Sequence, residues 1–315
     1  MVNLVRNENM KLSHSISTWI MMGIVVLIII IGGLLTRFTG PEAKAPKGDW
    51  KAELKIQNQA YKQDLTNPAM PKMVKDGSVK GLQTNEYRLK NDIQPVQGNS
   101  LWGFVEGMGG VISLIALFAI VMGGKIVANE FSEGTIKLLL IRPSKRWKIL
   151  LSKYISVVGY TLLMLLVLFI VSFLLGGILF SFSGASTPFL INSSGKITEV
   201  NMIVHIMELY GLKSINLIMM VTLAFMISTV FRNSSMATGI GVFLLTVGNV
   251  ITMFLTKYSW SKYILFANTD LNQYISGDPL VKGMTMKFSI IVLVAYFIIF
   301  NIISYIGFTK RDIAV

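Results

Sequence analysis

The chain has 315 residues, 53% of them hydrophobic and only 14% charged, with a formal net charge of +13. Soluble domains carry about 25% charged residues, so this composition excludes an ordinary soluble enzyme, and its hydrophobicity excludes a disordered chain. The absence of cysteine and the presence of only two distant histidines, His14 and His205, argue against disulfides, thiolate zinc sites, cysteine nucleophiles and a His-based metal site.

A helix that crosses a bilayer needs about 20 mostly apolar residues, and six segments meet that length. Arg6 and Lys11 precede the first, residues 18–36. Its apolar core is longer than that of a signal peptide, and Ala43-Lys44-Ala45 lies well past its end, so it reads as a retained span. Residues 37–100 form a long polar loop. Pro41 and Pro46 lead to Asp49, an N-cap candidate. Trp50, Leu54, Tyr61 and Leu65 then share one helical face. A second short helix is expected over 85–93, closed by Pro95. Asn67-Pro68 and Asp76-Gly77 read as turns. The loop is thus expected to be a small, mainly helical cap.

The second span covers 104–124. It opens on Gly103-Phe-Val-Glu106-Gly107-Met-Gly109-Gly110, and Glu106 is the one acid close to an apolar run. Glu106 fits the headgroup level or an outer cavity. Gly103, Gly107 and Gly110 permit close helix approach, within one chain or at a dimer seam. Residues 125–153 form a basic loop. Pro143 ends a helix-compatible stretch that starts at Ala128, and a new helix starts near Ser144 and runs into the third span, 154–180. The loop 181–213 follows. Within it Val200, Ile203, Val204, Met207 and Gly211 line one side of an expected interfacial helix over 198–211, with His205 a polar residue of that helix. The fourth span is 214–231, the fifth 236–256 and the sixth 288–308. Residues 257–287 connect the last two, and 309–315 form a tail. Asn216, Asn249 and Asn301 are mid-span amides expected to bond neighbouring helices. Trp19, Trp102, Trp147 and Trp260 fall near span ends, as interface anchors do.

Orientation follows from the short loops. With the N-terminus inside, 1–17, 125–153, 232–235 and 309–315 carry net +8, against +2 for 181–213 and 257–287. That favours both termini in the cytoplasm. The fold class is therefore all-α, a polytopic membrane protein with six transmembrane helices.

Catalytic groups are scarce. Gly124-Lys125 lacks the upstream Gly and following hydroxyl of a phosphate-binding loop, and Gly239-x-Gly241 lacks the third Gly of a dinucleotide fingerprint. The chain is not expected to be an enzyme, and no metal site is expected. A chain without its own energy source still transports if a partner supplies the work. Phe131, Leu138 and Leu139 offer apolar contacts in the basic loop, and Glu130, Glu133 and Lys137 offer charges. That pattern suits docking to a soluble partner or lying on anionic lipid.

The stretch Glu130-Phe-Ser-Glu133-Gly134-Thr135-Ile136-Lys137-Leu138-Leu139-Leu140-Ile141-Arg142-Pro143, followed by Ser144-Lys145-Arg146 and Leu151-Ser152-Lys153, resembles the coupling segment of ABC-2 type transporter permeases. The start, Met1-Val-Asn-Leu-Val-Arg6-Asn-Glu8 through Ser17-Thr18-Trp19, resembles the elbow before their first span. Tyr263-Ile-Leu-Phe-Ala-Asn-Thr-Asp270 and the tail Thr309-Lys310-Arg311-Asp312-Ile313 resemble Gram-positive members.

The resemblance implies an exporter subunit in a bacterial plasma membrane, for a peptide, antibiotic or lipid-like molecule. A separate ATPase would hold ATP and Mg on the cytoplasmic side, and this chain would bind no cofactor. A second permease chain, identical or related, would complete the dimer. Residues 130–140 would form a coupling helix, with Glu130, Phe131, Glu133, Gly134, Thr135, Leu138, Arg142 and Pro143 serving the ATPase contact. Residues 1–17 would form an amphipathic elbow helix, and 257–287 would include outer re-entrant or interfacial helices. The competing reading is a membrane sensor or immunity protein that binds an antimicrobial peptide through 37–100. A membrane enzyme is a third class, disfavoured by the missing catalytic groups.

Overall fold

The structure, a computed structural model, describes residues 1–39, 50–135, 144–182, 187–193, 195–231, 233–275, 277 and 279–309. It begins with α1 (Val2–His14) and α2 (Ile16–Thr39), then α3 (Trp50–Thr66) and α4 (Lys72–Asn91). Next come α5 (Leu101–Gly107), a 3-10 turn (Met108–Val111), α6 (Ile112–Ile126) and α7 (Ala128–Ser132). The long α8 (Arg146–Phe180) leads to the strands β1 (Phe189–Ser193) and β2 (Lys196–Val200). The chain finishes with α9 (Met202–Phe231), α10 (Ser234–Leu255), α11 (Leu265–Asn268) and α12 (Met286–Thr309).

Among the described residues, six helical stretches are long and apolar enough to cross a membrane: α2, the run Leu101–Ser132, α8, α9, α10 and α12. An α-helix satisfies its backbone hydrogen bonds internally, as the hydrocarbon core demands. The chain is a multi-pass membrane protein.

Burial sorts the spans into two classes. The apolar windows of the second and fourth spans are each 61% buried inside the protein, against 17–33% for the other four. The second and fourth therefore form the centre of the bundle, and the others present Ile, Leu and Phe side chains outward. Small residues let the central helices close. A Cβ on Gly123 would stand 3.2 Å from the Ala224 Cβ, and one on Gly124 would stand 3.1 Å from the Thr238 Oγ1. Tyrosines tie neighbours together: Tyr210 Oη donates to the Val105 carbonyl at 3.0 Å and Tyr160 Oη to that of Thr18 at 2.7 Å.

α1 is a separate helix at the start of the first span. Ser15 is extended and breaks it from α2, and the Trp19 indole N–H donates to the Ser13 carbonyl at 2.7 Å across the corner. α1 then lies along the first turns of α8, at what we term the elbow end.

The opposite end carries a helical hairpin, α3 and α4, seated on the β1–β2 hairpin. Asn85, buried, donates to Gln57 Oε1 and Asn58 Oδ1, both at 3.0 Å. Asn67 accepts from the Ala69 N–H at 3.0 Å, so the turn expected at Asn67-Pro68 is present. Asn192 Nδ2 donates to the Lys80 carbonyl at 3.2 Å, and Tyr87 Oη to Glu199 Oε1 at 3.0 Å, fixing the helices to the strands. The strands pair antiparallel from Phe189↔Val200 to Ser193↔Lys196.

Several expectations need correction. Asp76-Gly77 is not a turn; it lies inside α4, which starts at Lys72 rather than at 85. Gly77 has open space beside it, and a single solvent-side glycine costs a helix only about 1 kcal/mol. The interfacial helix over 198–211 does not exist as such. Residues 198–200 belong to β2, and from Met202 onward the helix is the first three turns of the fourth span. The fold is otherwise helical, as expected; the β1–β2 hairpin adds ten strand residues to it. Trp102, at the start of the second span as expected, is buried against Phe173, ring centroids 5.6 Å apart. Asn249 donates to the Leu245 carbonyl, four residues back in its own helix; Asn301 donates likewise to Phe297 but also bonds the Tyr154 side chain of the third span, as expected. Asp49 lies outside the described residues.

Candidate functional site

Four charged groups meet at the elbow end. Lys153, near the start of α8, is 1% exposed. Its ammonium lies 3.0 Å from Glu8 Oε2 of α1 and also pairs with Glu130 Oε1 of α7. Lys11, one turn after Glu8, reaches Glu130 Oε1 at 3.2 Å and Glu8 Oε1 at 3.5 Å. The four charges sum to zero. A lone buried ammonium would carry several kcal/mol of desolvation cost; here two carboxylates offset it. Burial pulls the Lys11 ammonium down, but the carboxylates of Glu8 and Glu130 outweigh it and hold its pKa above the ordinary lysine value of 10.5. A raised cationic pKa stabilises the fold fully below that value, and the contribution fades only as pH rises through the folded pKa.

The cluster joins three elements that are distant in sequence: the elbow helix, the short helix after the second span, and the third span. Beside it lies a cavity of about 500 Å³, lined among others by Ser15, Thr18, Lys125, Asn129, Glu133 and Thr135.

Local geometry explains how α7 holds Glu130 there. α6 ends at Ile126, and Val127 breaks the helix with φ −101°. The Ser228 hydroxyl of the fourth span fills the break. It accepts from the N–H groups of Val127 at 3.3 Å and Ala128 at 3.0 Å, and donates to the Gly124 carbonyl at 2.7 Å. α7 then makes five residues and stops. Glu133 N–H donates to the Asn129 carbonyl at 2.8 Å, and Gly134 adopts φ +70°, a left-handed stop that suits glycine.

The residues expected to serve coupling therefore separate. Glu130 turns inward to Lys153 and Lys11. Phe131 packs edge-on against Phe308 of the sixth span, centroids 6.4 Å apart. Thr135 Oγ1 donates to the Glu130 carbonyl at 3.4 Å. Glu133 and Gly134 are exposed. A continuous helix from 130 is not present, because Gly134 ends it; Leu138, Arg142 and Pro143 lie outside the described residues. The expected new helix near Ser144 is α8, from Arg146.

At the hairpin end, the four other sequence candidates also separate. Gly103 serves its own cap: a Cβ there would stand 2.1 Å from the Gln97 carbonyl oxygen, in the turn where Ser100 accepts the Gly103 N–H. Gly107 and Gly110 face open space within the chain, so the close approach expected of them inside one chain is absent. Gly107 precedes, and Gly110 lies within, the 3-10 turn that interrupts the second span. Glu106 points into a cavity of about 480 Å³, with its Oε1 3.6 Å from His205 Nε2.

Sequence reasoning missed Glu8, Lys153 and Ser228 as site residues. One signal was available. Lys153 is the last charge before an uncharged run that extends to Lys196, and a lysine at that margin needs a partner. Ser228 carried no signal, since a serine in a span is most often bonded to its own helix.

Residues 79–314 match the family described as "Protein of unknown function (DUF2705)". The chain is 44% identical over 319 aligned positions to "Uncharacterized protein YhcI" of Bacillus subtilis (strain 168), covering the full length of both. It is 35% identical over 205 positions to "Uncharacterized membrane protein YdbK" of the same organism, covering 64% of this chain and 79% of that one.

Proposed function

We propose that this chain, which belongs to the DUF2705 family, is the membrane-spanning subunit of an ATP-driven transporter that exports a peptide, antibiotic or lipid-like molecule. A separate ATPase subunit binds and hydrolyses ATP with magnesium, and a second permease chain completes the assembly in the bacterial plasma membrane. In this reading the elbow end is cytoplasmic and the hairpin end faces outward.

One observation carries the reading: the elbow end is built as a lever. Glu133 and Gly134 are exposed at the tip of α7, while Glu130, on the inner side of the same short helix, is tied to Lys153 and Lys11. A push on the tip is transmitted to the elbow helix and the third span through buried ion pairs. The second span follows, because α7 continues it across the Ser228-filled break. A segment that presents charge outward and is anchored to three helices inward suits a partner that does mechanical work. The sequence itself lacks a phosphate-binding loop, so the work is assigned to that partner.

The test is co-purification with a cognate P-loop ATPase co-expressed with the chain. Glu133→Lys reverses the exposed charge. Gly134→Pro replaces φ +70° with a residue locked near −65° and so re-aims the tip. Both variants are expected to insert normally yet lose ATPase binding and stimulated hydrolysis to background. Full binding and stimulation in both overturn the assignment. The ordered α3–α4 hairpin supports the competing sensor reading. That reading predicts that removing residues 50–91 abolishes peptide resistance and leaves ATPase stimulation intact.

A further inference from the structure

The cavity at the hairpin end plays no part in the elbow-end lever. Its volume, about 480 Å³, falls within the range of small-molecule pockets, about 300–1,000 Å³. Five separate segments build it: α4, α5, β1, α9 and the turn after α11. Phe189, Ile191, Leu209 and Ile275 supply apolar wall, and Glu106 and Asp270 supply carboxylates. The lining sets these two carboxylates against one ammonium, that of Lys80, beside the His205 imidazole, in a chain whose net charge is +13. The pocket is therefore acidic against the charge of the whole protein.

Two details point to Glu106 as the recognition group. Asp270 is engaged by Lys213 at 3.6 Å, whereas the only ion-pair partner in reach of Glu106 among the described residues is His205. The Glu106 side chain remains 32% exposed, into the cavity. His205 is 6% exposed and lies flat on the Phe189 ring, centroids 3.6 Å apart and planes 7° from parallel. Its Nδ1 is buried without a hydrogen-bond partner, so stacking, not hydrogen bonding, holds the imidazole with Nε2 towards Glu106. Unpaired buried polar atoms are rare in native proteins and call for an explanation; here the imidazole is a positioning group for the carboxylate. An acid at the margin of a membrane span is costly and is a functional candidate by default.

We infer that this cavity binds a single ammonium group carried on an apolar, peptide-like framework, with the cation on Glu106 and the apolar part on the Phe189–Leu209–Ile275 wall. Lys80 on the α4 side disfavours a ligand that is cationic along its whole length. The inference deepens the transporter reading and rests on it only for the direction of transport. Its test reads binding to the chain alone, so failure here leaves the partner-ATPase proposal standing, and the converse.

The probe is an N-terminally fluorescein-labelled Leu-Leu-Lys amide, whose only amine is the lysine side chain. Two counterparts carry acetyl-lysine or glutamate at that position. Binding to the full chain in phosphatidylcholine nanodiscs is followed by fluorescence anisotropy, with empty nanodiscs as background. The amine peptide is expected to bind about tenfold more tightly than the acetylated one, the effect of one charge-assisted hydrogen bond, and the glutamate peptide more weakly still. Glu106→Gln should erase the preference, and Glu106→Asp should keep most of it. Equal binding of the three peptides, absence of binding, or a preference that survives in a folded Glu106→Gln protein overturns the inference. The three-peptide comparison on the unaltered chain does not depend on any variant folding.

Discussion

Lys153→Met is expected to destabilise the chain by about 3–5 kcal/mol, the loss typical when one partner of a buried ion pair is removed. The methionine fills most of the space left by the lysine stem, so the cost is electrostatic. Glu8 and Glu130 would face each other, both buried, with Lys11 their remaining ion-pair partner among the described residues. Lys11 cannot replace Lys153, because its side chain is 53% exposed and its charge is partly screened by water. The triple variant Glu8→Gln, Glu130→Gln, Lys153→Met removes the charges together and should recover most of the stability, since uncharged replacements of buried ion pairs are often near neutral. Thermal unfolding of the full chain in nanodiscs measures both. If the triple variant is no more stable than Lys153→Met, the lysine acts through packing and the ion-pair account is wrong.

The same network fixes what the elbow end can do. With the charges paired, α1, α7 and the start of α8 move together or pay for exposed charge. Removing the charges leaves the apolar contacts that remain around α7: Val127 and Phe131 against Ile149, Leu150 and Phe308. The ion pairs thus add specificity of position to a join that hydrophobic packing already favours.

The spans were legible because the bilayer imposes one solution. A run of about 20 apolar residues must be helical, and the six expected runs coincide with the helical spans, the fifth overrunning its helix by one residue. Ends were less legible, since polarity marks where lipid stops, not where the helix stops. The fourth span shows this. Its first three turns, from Met202, lie beyond the purely apolar run and carry His205 and Glu208. One side packs on α5 and β1, which gives the amphipathic pattern that read as an interfacial helix. The strands were missed because five residues with mixed polarity, such as Lys196–Val200, carry no periodic signal strong enough to distinguish strand from loop.

For the site, the motif was legible and its geometry was not. The stretch around Glu133-Gly134 drew attention to the elbow end, where Gly134 ends α7 with φ +70°. It did not reveal that Glu130 turns inward, because that depends on Glu8 and Lys153, separated from it by 122 and 23 positions. Pairing over such distances is set by how the helices pack and leaves no trace in one sequence. Glu106 behaves the same way. The cavity it lines is completed by β1 and by the return of α9 with His205, elements that lie about 85–100 positions further along the chain.

Ser228→Ala is the second large expectation, at about 1–3 kcal/mol, the cost of leaving buried backbone groups without a partner. The Ser228 hydroxyl makes three bonds across the Val127 break, to two N–H groups and one carbonyl, and is fully buried. Ser304 is the control. It is also buried in a span, but its Oγ donates only to the Phe300 carbonyl of its own helix at 2.8 Å, a carbonyl already used by the helix. Ser304→Ala should change stability by less than about 0.5 kcal/mol. The consequence of Ser228→Ala is also directional. The junction of α6 with α7 loosens, Glu130 loses its fixed approach to Lys153, and the tip at Glu133 becomes mobile. Hydrogen exchange at the amides of Val127 and Ala128 should rise in Ser228→Ala and stay unchanged in Ser304→Ala. Equal exchange and equal stability in the two variants would show that the break is held by the surrounding packing and that the hydroxyl is incidental to it.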